Sequence, residues 1–141
     1  MKIFNEIRTD HEKQRLLLKI LSETSGDSDS RRQFFAELKT ELQRHDEIER
    51  AHFYEPLLDT ENAPNLWQKG ADDHKEIEQL LTRLDDTDMS SSAWLHHLDK
   101  LRQKVLEHLN KEEAEMFDVA SKVLSDQQIH SLAKDYRADK H

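Results

Sequence analysis

The sequence has no cysteine, and only two glycines and two prolines among 141 residues. The lack of cysteine excludes a disulfide framework, a thiolate zinc site, an iron–sulfur cluster and a cysteine nucleophile. So little glycine and proline leaves too few turn residues for a many-stranded sheet. Cationic side chains are outnumbered, 21 Lys+Arg against 30 Asp+Glu, and the net charge of −9 argues against nucleic acid or an anionic membrane as partner. No stretch approaches the roughly 18 uninterrupted apolar residues of a membrane span. The N-terminus, Met1-Lys2-Ile3-Phe4-Asn5-Glu6-Ile7-Arg8, carries charges where a signal peptide needs an apolar run. These absences lead us to expect a cytoplasmic protein with a single domain over residues 1–141. Apolar residues make up 35% and charged ones 36%, so the apolar set must fall at the right period if the chain is to fold.

That period is helical. A first helix is expected from about Asn5 to Ser25, with Ile7, His11, Leu17, Leu18 and Leu21 near one stripe, ending at Ser25-Gly26-Asp27-Ser28. A second runs from about Ser30 to Leu58 and carries Phe34, Phe35, Leu38, Leu42, His45, Ile48, Glu49 and His52 at spacings of three and four. Asp59-Thr60-Glu61-Asn62-Ala63-Pro64 breaks it, and Pro64 suits the first turn of a third helix reaching about Leu84. The fourth follows Ser90-Ser91-Ser92 and holds Trp94, Leu98, Leu101, Val105, His108, Glu112 and Phe117. Ser125-Asp126-Gln127-Gln128 reads as a capping box opening a short fifth helix to about Tyr136. The expected fold is all-α, an up-down-up-down four-helix bundle with a short C-terminal helix.

The chain also repeats itself. His11 and His74, His45 and His108, and Glu49 and Glu112 are each 63 positions apart. Leu17/Leu80, Leu18/Leu81, Leu21/Leu84, Leu38/Leu101 and Asp10/Asp73 keep the same offset. Two copies of a helix hairpin, related by an approximate two-fold axis, follow from this. His11 and His45 lie at nearly equal distances from the first turn, as do His74 and His108 from the second, and a rise of about 1.5 Å per residue brings each pair to one level. His45 with Glu49, and His108 with Glu112, are four apart and share a helix face. Four imidazoles and two carboxylates thus converge inside the bundle. Solvated surface residues would not all obey one offset and fall on the apolar stripe, and burying six such groups uncompensated would cost several kcal/mol.

Nitrogen and carboxylate oxygen without sulfur suit iron, manganese or zinc. Two histidines per ion and two carboxylates able to bridge describe a dinuclear centre. An oxo or hydroxo bridge would leave one position on each metal for an exogenous ligand. Iron there could take O2, peroxide or nitric oxide, the small-molecule partners expected; the sequence sets no oligomeric state.

These residues resemble a known family. His11, His45-Asp46-Glu47-Ile48-Glu49, Phe53-Tyr54-Glu55-Pro56, Asp73-His74 and His108-Leu109-Asn110-Lys111-Glu112 are similar to the pattern of hemerythrin-like proteins of the HHE cation-binding type. The resemblance extends from His11 to about Phe117 and implies a four-helix bundle around a non-haem di-iron centre bridged by oxygen and two carboxylates. It implies iron ligands at His11, His45, Glu49, His74, His108 and Glu112. Oxygen-carrying hemerythrins have a further histidine one turn from the third-helix ligand, where this chain has Gly70 and Glu78, and end on an Asp five residues after the last histidine, where it has Glu112 at four and Glu113 at five. The departure moves the expectation from oxygen transport toward a binding or sensing protein, a di-iron enzyme acting on peroxide, O2 or nitric oxide, or iron storage and homeostasis. Asp46 is a candidate extra ligand. Glu78, His52 and Tyr54 are candidate acid–base groups, and an exposed helix carboxylate is the plainer reading of Glu78. Glu49-Arg50-Ala51-His52 matches the ferritin-type Glu-x-x-His pair, but the partner of His52 at the repeat offset is Glu115. Tyr54 and Trp67 read equally as pocket mouth or core, while His96, His97, His130 and His141 read as ordinary polar residues.

Overall fold

Apolar residues spaced three and four apart do form helices. The computed structural model describes residues 2–58 and 64–140, and no strand occurs among them. The first hairpin consists of α1 (Lys2–Ser22) and α2 (Asp29–Glu49), and α2 continues through a π-helical turn (Arg50–Tyr54) into α3 (Glu55–Leu58). The second consists of α4 (Pro64–Asp85) and α5 (Ser92–Lys111), continued by a second π-helical turn (Glu112–Met116) and α6 (Phe117–Val123). The last helix is α7 (Asp126–Lys140). α1 packs against α2 and α5, and α4 against α5 and α2, which closes a ring of four helices. The chain is thus the all-α up-down bundle that the pattern predicts.

Boundaries follow local chemistry. α1 starts before Asn5 because Ile3 and Phe4 are buried and anchor its first turn. It stops at Ser22, short of Ser25, and the turn beyond it is completed by Gly26 at φ +62°, a left-handed conformation natural to glycine. Ser28 caps α2 by accepting from the Arg31 N–H, and Ser91 caps α5 by accepting from the Ala93 N–H. Ser125 and Gln128 bond reciprocally, the Gln128 N–H to the Ser125 hydroxyl and the Ser125 N–H to the Gln128 side chain. That is the expected capping box, although α7 runs on past Tyr136 to Lys140. Pro64 opens α4, whereas the expected break at residues 59–63 lies outside the described residues.

Two apolar clusters fill the bundle. One, toward the hairpin turns, includes Leu18, Leu21, Leu38, Leu81, Trp94 and Leu101. The other, toward α7, includes Ile3, Ile7, Tyr54, Trp67, Phe117 and Leu132. Between them along every long helix lie the buried polar residues His11, His45, Glu49, His74, His108 and Glu112. No helix among the described residues is long and apolar enough to cross a membrane.

Arg31 ties the two hairpin turns together. Its side chain is buried, donates to the hydroxyl and carbonyl oxygens of Thr24 in the first turn and to the carbonyl oxygen of Met89 in the second, and lies over the Trp94 ring at 4.5 Å. Removing a charged donor that satisfies three acceptors leaves them unpaired. Arg31→Ala is expected to lower stability by about 3 kcal/mol, read from the urea midpoint; a variant as stable as the parent would contradict this role.

Candidate metal centre

α1, α2, α4, α5 and the second π-helical turn bring all six expected residues to one place. They form two sets of ligand-type atoms: His11, His45, Glu49 and Glu112 in one, and Glu49, His74, His108 and Glu112 in the other, each set within 4.8 Å. The two carboxylates belong to both sets. Glu112 turns Oε1 to His11 Nε2 at 3.0 Å and Oε2 to His108 Nε2 at 3.2 Å. Glu49 Oε1 stands 2.9 Å from His45 Nε2 and 3.5 Å from His74 Nε2. The imidazoles pair alike in the two hairpins, edge to face at 5.3 Å for His11/His45 and 4.7 Å for His74/His108. This is the two-fold relation that the repeat predicts.

The atoms turned inward suit a cation. Nε2 of His11 and of His45, both oxygens of Glu49 and Oε1 of Glu112 are buried and have no hydrogen-bond partner. Close approach without hydrogen-bond alignment is expected where lone pairs converge on a common point, and buried polar groups left so are costly. The donors are nitrogen and carboxylate oxygen only, a set suited to a first-row metal ion.

Behind this layer, the Nδ1 atoms of His11, His45 and His108 meet carboxylates or a hydroxyl. His108 Nδ1 is 3.1 Å from Asp73 Oδ2, and Asp73 in turn pairs with Lys104 at 2.9 Å. His11 Nδ1 is 3.0 Å from Glu113 Oε2, which Arg15 also holds at 2.5 Å. His45 Nδ1 is 3.2 Å from the Tyr136 hydroxyl, which donates to Asp10. Such partners fix which ring nitrogen keeps its proton and free Nε2 for a metal. Glu113 therefore supports His11 from behind, while Glu112 occupies the interior.

Burial by itself would lower the pKa of His45 and His108, yet Glu49, Asp10 and Glu112 raise His45 well above its ordinary value, and Asp73, Glu112 and Glu49 raise His108 to about 10. Burial likewise pushes the Glu112 carboxyl up, but its close neighbours Glu49, His108 and His11 hold it well below the usual range. Burial first, and then Asp10, raise the Tyr136 phenol, which keeps its proton and donates it.

The two sets differ in their surroundings. His74 is the most exposed of the six, at 8%. It lines a cavity of about 440 Å³ between α2 and α4 with Asp46, Arg50, Ala71, Lys75 and Glu78. Asp46 Oδ1 lies 3.4 Å from His74 Nε2, and burial pushes the Asp46 carboxyl up to about 6. Tyr54 reaches the same set from the first π-helical turn, its hydroxyl donating to Glu112 Oε2 and lying 3.4 Å from His108 Nε2. The repeat partner of Tyr54 is Phe117, which stacks on His11 at 6.1 Å and has no hydroxyl.

The π-helical turns account for these placements. Each begins just after or at the interior glutamate, so that Tyr54 follows Glu49 by five residues and Phe117 follows Glu112 by five. An i→i+5 turn brings the later side chain under the earlier one. Plain helical spacing could not reveal it.

Other expected candidates lie outside both sets. Glu78 is exposed and accepts from Gln43 at 2.8 Å. His52 belongs to neither set and lines a separate cavity of about 430 Å³ with Leu57, Leu124, Leu132 and Asp135. Trp67 is core, 6.3 Å from Tyr54. His96 and His130 are exposed, His97 is half-buried, and His141 lies outside the described residues. Sequence reasoning gave no role to Glu113 behind His11 or to Tyr136; Asp10 and Asp73 were visible through their shared offset.

The profile of the hemerythrin HHE cation binding domain matches residues 2–120. A curated protein of Nostoc sp. (strain PCC 7120 / SAG 25.82 / UTEX 2576), named DNA nickase, is 26% identical over 140 residues, which are 99% of this chain and 39% of that protein. No solved structure matches.

Two measurements probe this geometry. A Cβ at Gly70 would sit 2.9 Å from ring carbons of Tyr54, which is fully buried and cannot easily give way. Gly70→Ala is expected to cost about 1–3 kcal/mol and to shift the emission of neighbouring Trp67; unchanged stability and emission would contradict the packing. In the metal-free protein, His108 is held at about 10, above its ordinary 6.5. Its protonated form stabilises the fold fully below that ordinary value, and the contribution disappears as pH rises through the folded value. Thermal midpoints of the metal-free protein should therefore fall between about pH 6.5 and pH 10, and metal uptake in that range should release protons. A flat profile would count against the His108–Asp73–Glu112 arrangement.

Proposed function

The chain belongs to the hemerythrin HHE cation-binding family, and from that premise we propose that it holds two iron ions, joined by an oxo or hydroxo bridge, and there binds or senses O2 or a related small molecule. The single observation that carries the reading is the pair of ligand sets sharing Glu49 and Glu112. His11 and His45 would hold one ion, His74 and His108 the other, and both carboxylates would bridge. When bound, an iron pair supplies open coordination positions and reversible one-electron chemistry. Residues 1–141 are read as one such domain, supported by the packing of α7 against α1 and α2.

What this chain contributes is ligand positioning and access. The first set is closed off by Phe117, Glu113 and Tyr136. The cavity at His74 supports entry of a small molecule between α2 and α4, with Arg50 and Lys75 among its walls. Asp46 favours a second reading, a di-iron enzyme acting on peroxide, O2 or nitric oxide. Its carboxyl faces both the cavity and His74, and at about 6 it could take or return a proton near neutral pH. A bound cation would pull that value down and make the same oxygen a further ligand. The net charge of −9 opposes carrying over the DNA nicking named for the longer Nostoc protein.

Protein made in iron-replete medium is expected to contain about two iron ions per chain, with near-ultraviolet absorption from a bridged ferric pair. Glu49→Ala and Glu112→Ala should each lose most of it. Metal-free protein under these conditions, with variants indistinguishable from the parent, would sink the proposal. Stopped-flow mixing of the reduced protein separates the two readings. A reversible spectral change with O2 supports binding or sensing, and sustained peroxide consumption, weakened in Asp46→Asn, supports an enzyme.

A further inference from the structure

The repeat predicts like surroundings for His45 and His108, and the structure departs from this at one point. Asp10 and Asp73 share the 63-residue offset, each next to the first histidine of its hairpin. Asp73 Oδ2 meets His108 Nδ1 directly, at 3.1 Å. Asp10 Oδ2 is 3.6 Å from His45 Nδ1, too far for a hydrogen bond. The Tyr136 hydroxyl stands between them, 3.2 Å from His45 Nδ1 and donating to Asp10. A phenol has one proton to give and lone pairs to accept with, so donation to Asp10 makes its oxygen the acceptor for the His45 Nδ1–H. His45 is thereby fixed with Nε2 unprotonated, and that nitrogen is buried without a hydrogen-bond partner beside Glu49.

Tyr136 belongs to α7, which starts at Asp126, beyond the 2–120 stretch that matches the family profile. Helix α7 is docked by Leu132, Ala133 and Tyr136 in the lower apolar cluster and by Arg137 on Glu6 at 2.7 Å. We propose that Tyr136 is a positioning residue for His45, accepting from its Nδ1–H and donating in turn to Asp10, so that metal retention at the His11/His45 set depends on the docking of α7. This rests on the two-metal reading above. It also makes the coupling reciprocal: an ion in that set favours docked α7, and docked α7 favours the ion. The His74/His108 set has Asp73 directly behind it and does not use this hydrogen-bond chain.

The test is release of iron from the loaded chain of residues 1–141 to a chelator, followed by absorbance. Tyr136→Phe keeps the ring and removes the hydroxyl. It is expected to release one of its two ions about 10–100-fold faster, the other at the parental rate, with circular dichroism unchanged. Asp10→Asn should accelerate the same ion, and combining it with Tyr136→Phe should add little. Arg137→Ala removes the tie of α7 to Glu6; hydrogen exchange in α7 should rise and the same ion should leave about two- to fivefold faster, the other at the parental rate. Parental release from Tyr136→Phe, or equal acceleration of both ions in either variant, overturns the proposal, as does an Arg137→Ala in which exchange in α7 rises and neither ion leaves faster. A parent chain that takes up no iron overturns the two-metal reading itself, whereas a loaded parent with an indifferent Tyr136→Phe overturns this inference alone.

Discussion

Everything in this bundle is arranged around two buried carboxylates. Glu49 and Glu112 have no exposed surface, lie within one small volume and face four imidazoles. Two like charges so confined require compensation of several kcal/mol, which protons on the histidines or metal ions can supply. The helices meet that requirement through level. Two turns of similar length return each hairpin to the height at which it left, so the polar layer closes while apolar clusters form on either side. A net charge of −9 counts both interior glutamates, so the charge presented to solvent by a loaded bundle is smaller in magnitude.

The two halves share a plan and differ in what stands outside it. Around His11 and His45 the space is taken by Phe117, Glu113 and the hydroxyl of Tyr136. Around His74 there is a cavity, a half-buried carboxylate and the phenol of Tyr54. A symmetric set of histidines and carboxylates thus lies in an asymmetric shell, packed on one side and open to a cavity on the other. The distinction lies in the packing, because the six inner residues are chemically the same on both sides.

The sequence carried the fold and the inner residues because both are periodic. Helical spacing located the elements, and one offset selected six residues from nine histidines and thirty acids. The surrounding residues were less legible for separate reasons. Tyr136 reaches Asp10 across 126 positions, a contact that no local pattern encodes. Glu113 adjoins Glu112, so the helix geometry alone had to decide which of them faces inward. Tyr54 was visible as a candidate, but its contacts with Glu112 and His108 are made from a π-helical turn that residue spacing does not announce. Gly70, read first as a missing histidine, is also the gap that admits the Tyr54 ring.

Those π-helical turns also affect how the molecule is assembled. Each inserts one residue into the helical count at the level of the polar layer, in both halves of the chain. The helices above and below that layer are therefore indexed separately, as if two shorter bundles had been joined at a common plane with their phases reset. A rotation of the upper helices driven by repacking around Trp94 need not be transmitted unchanged to the cluster around Trp67. The layer works as a joint as well as a centre, and the lower bundle, with its C-terminal helix, can settle against the ligands on its own terms.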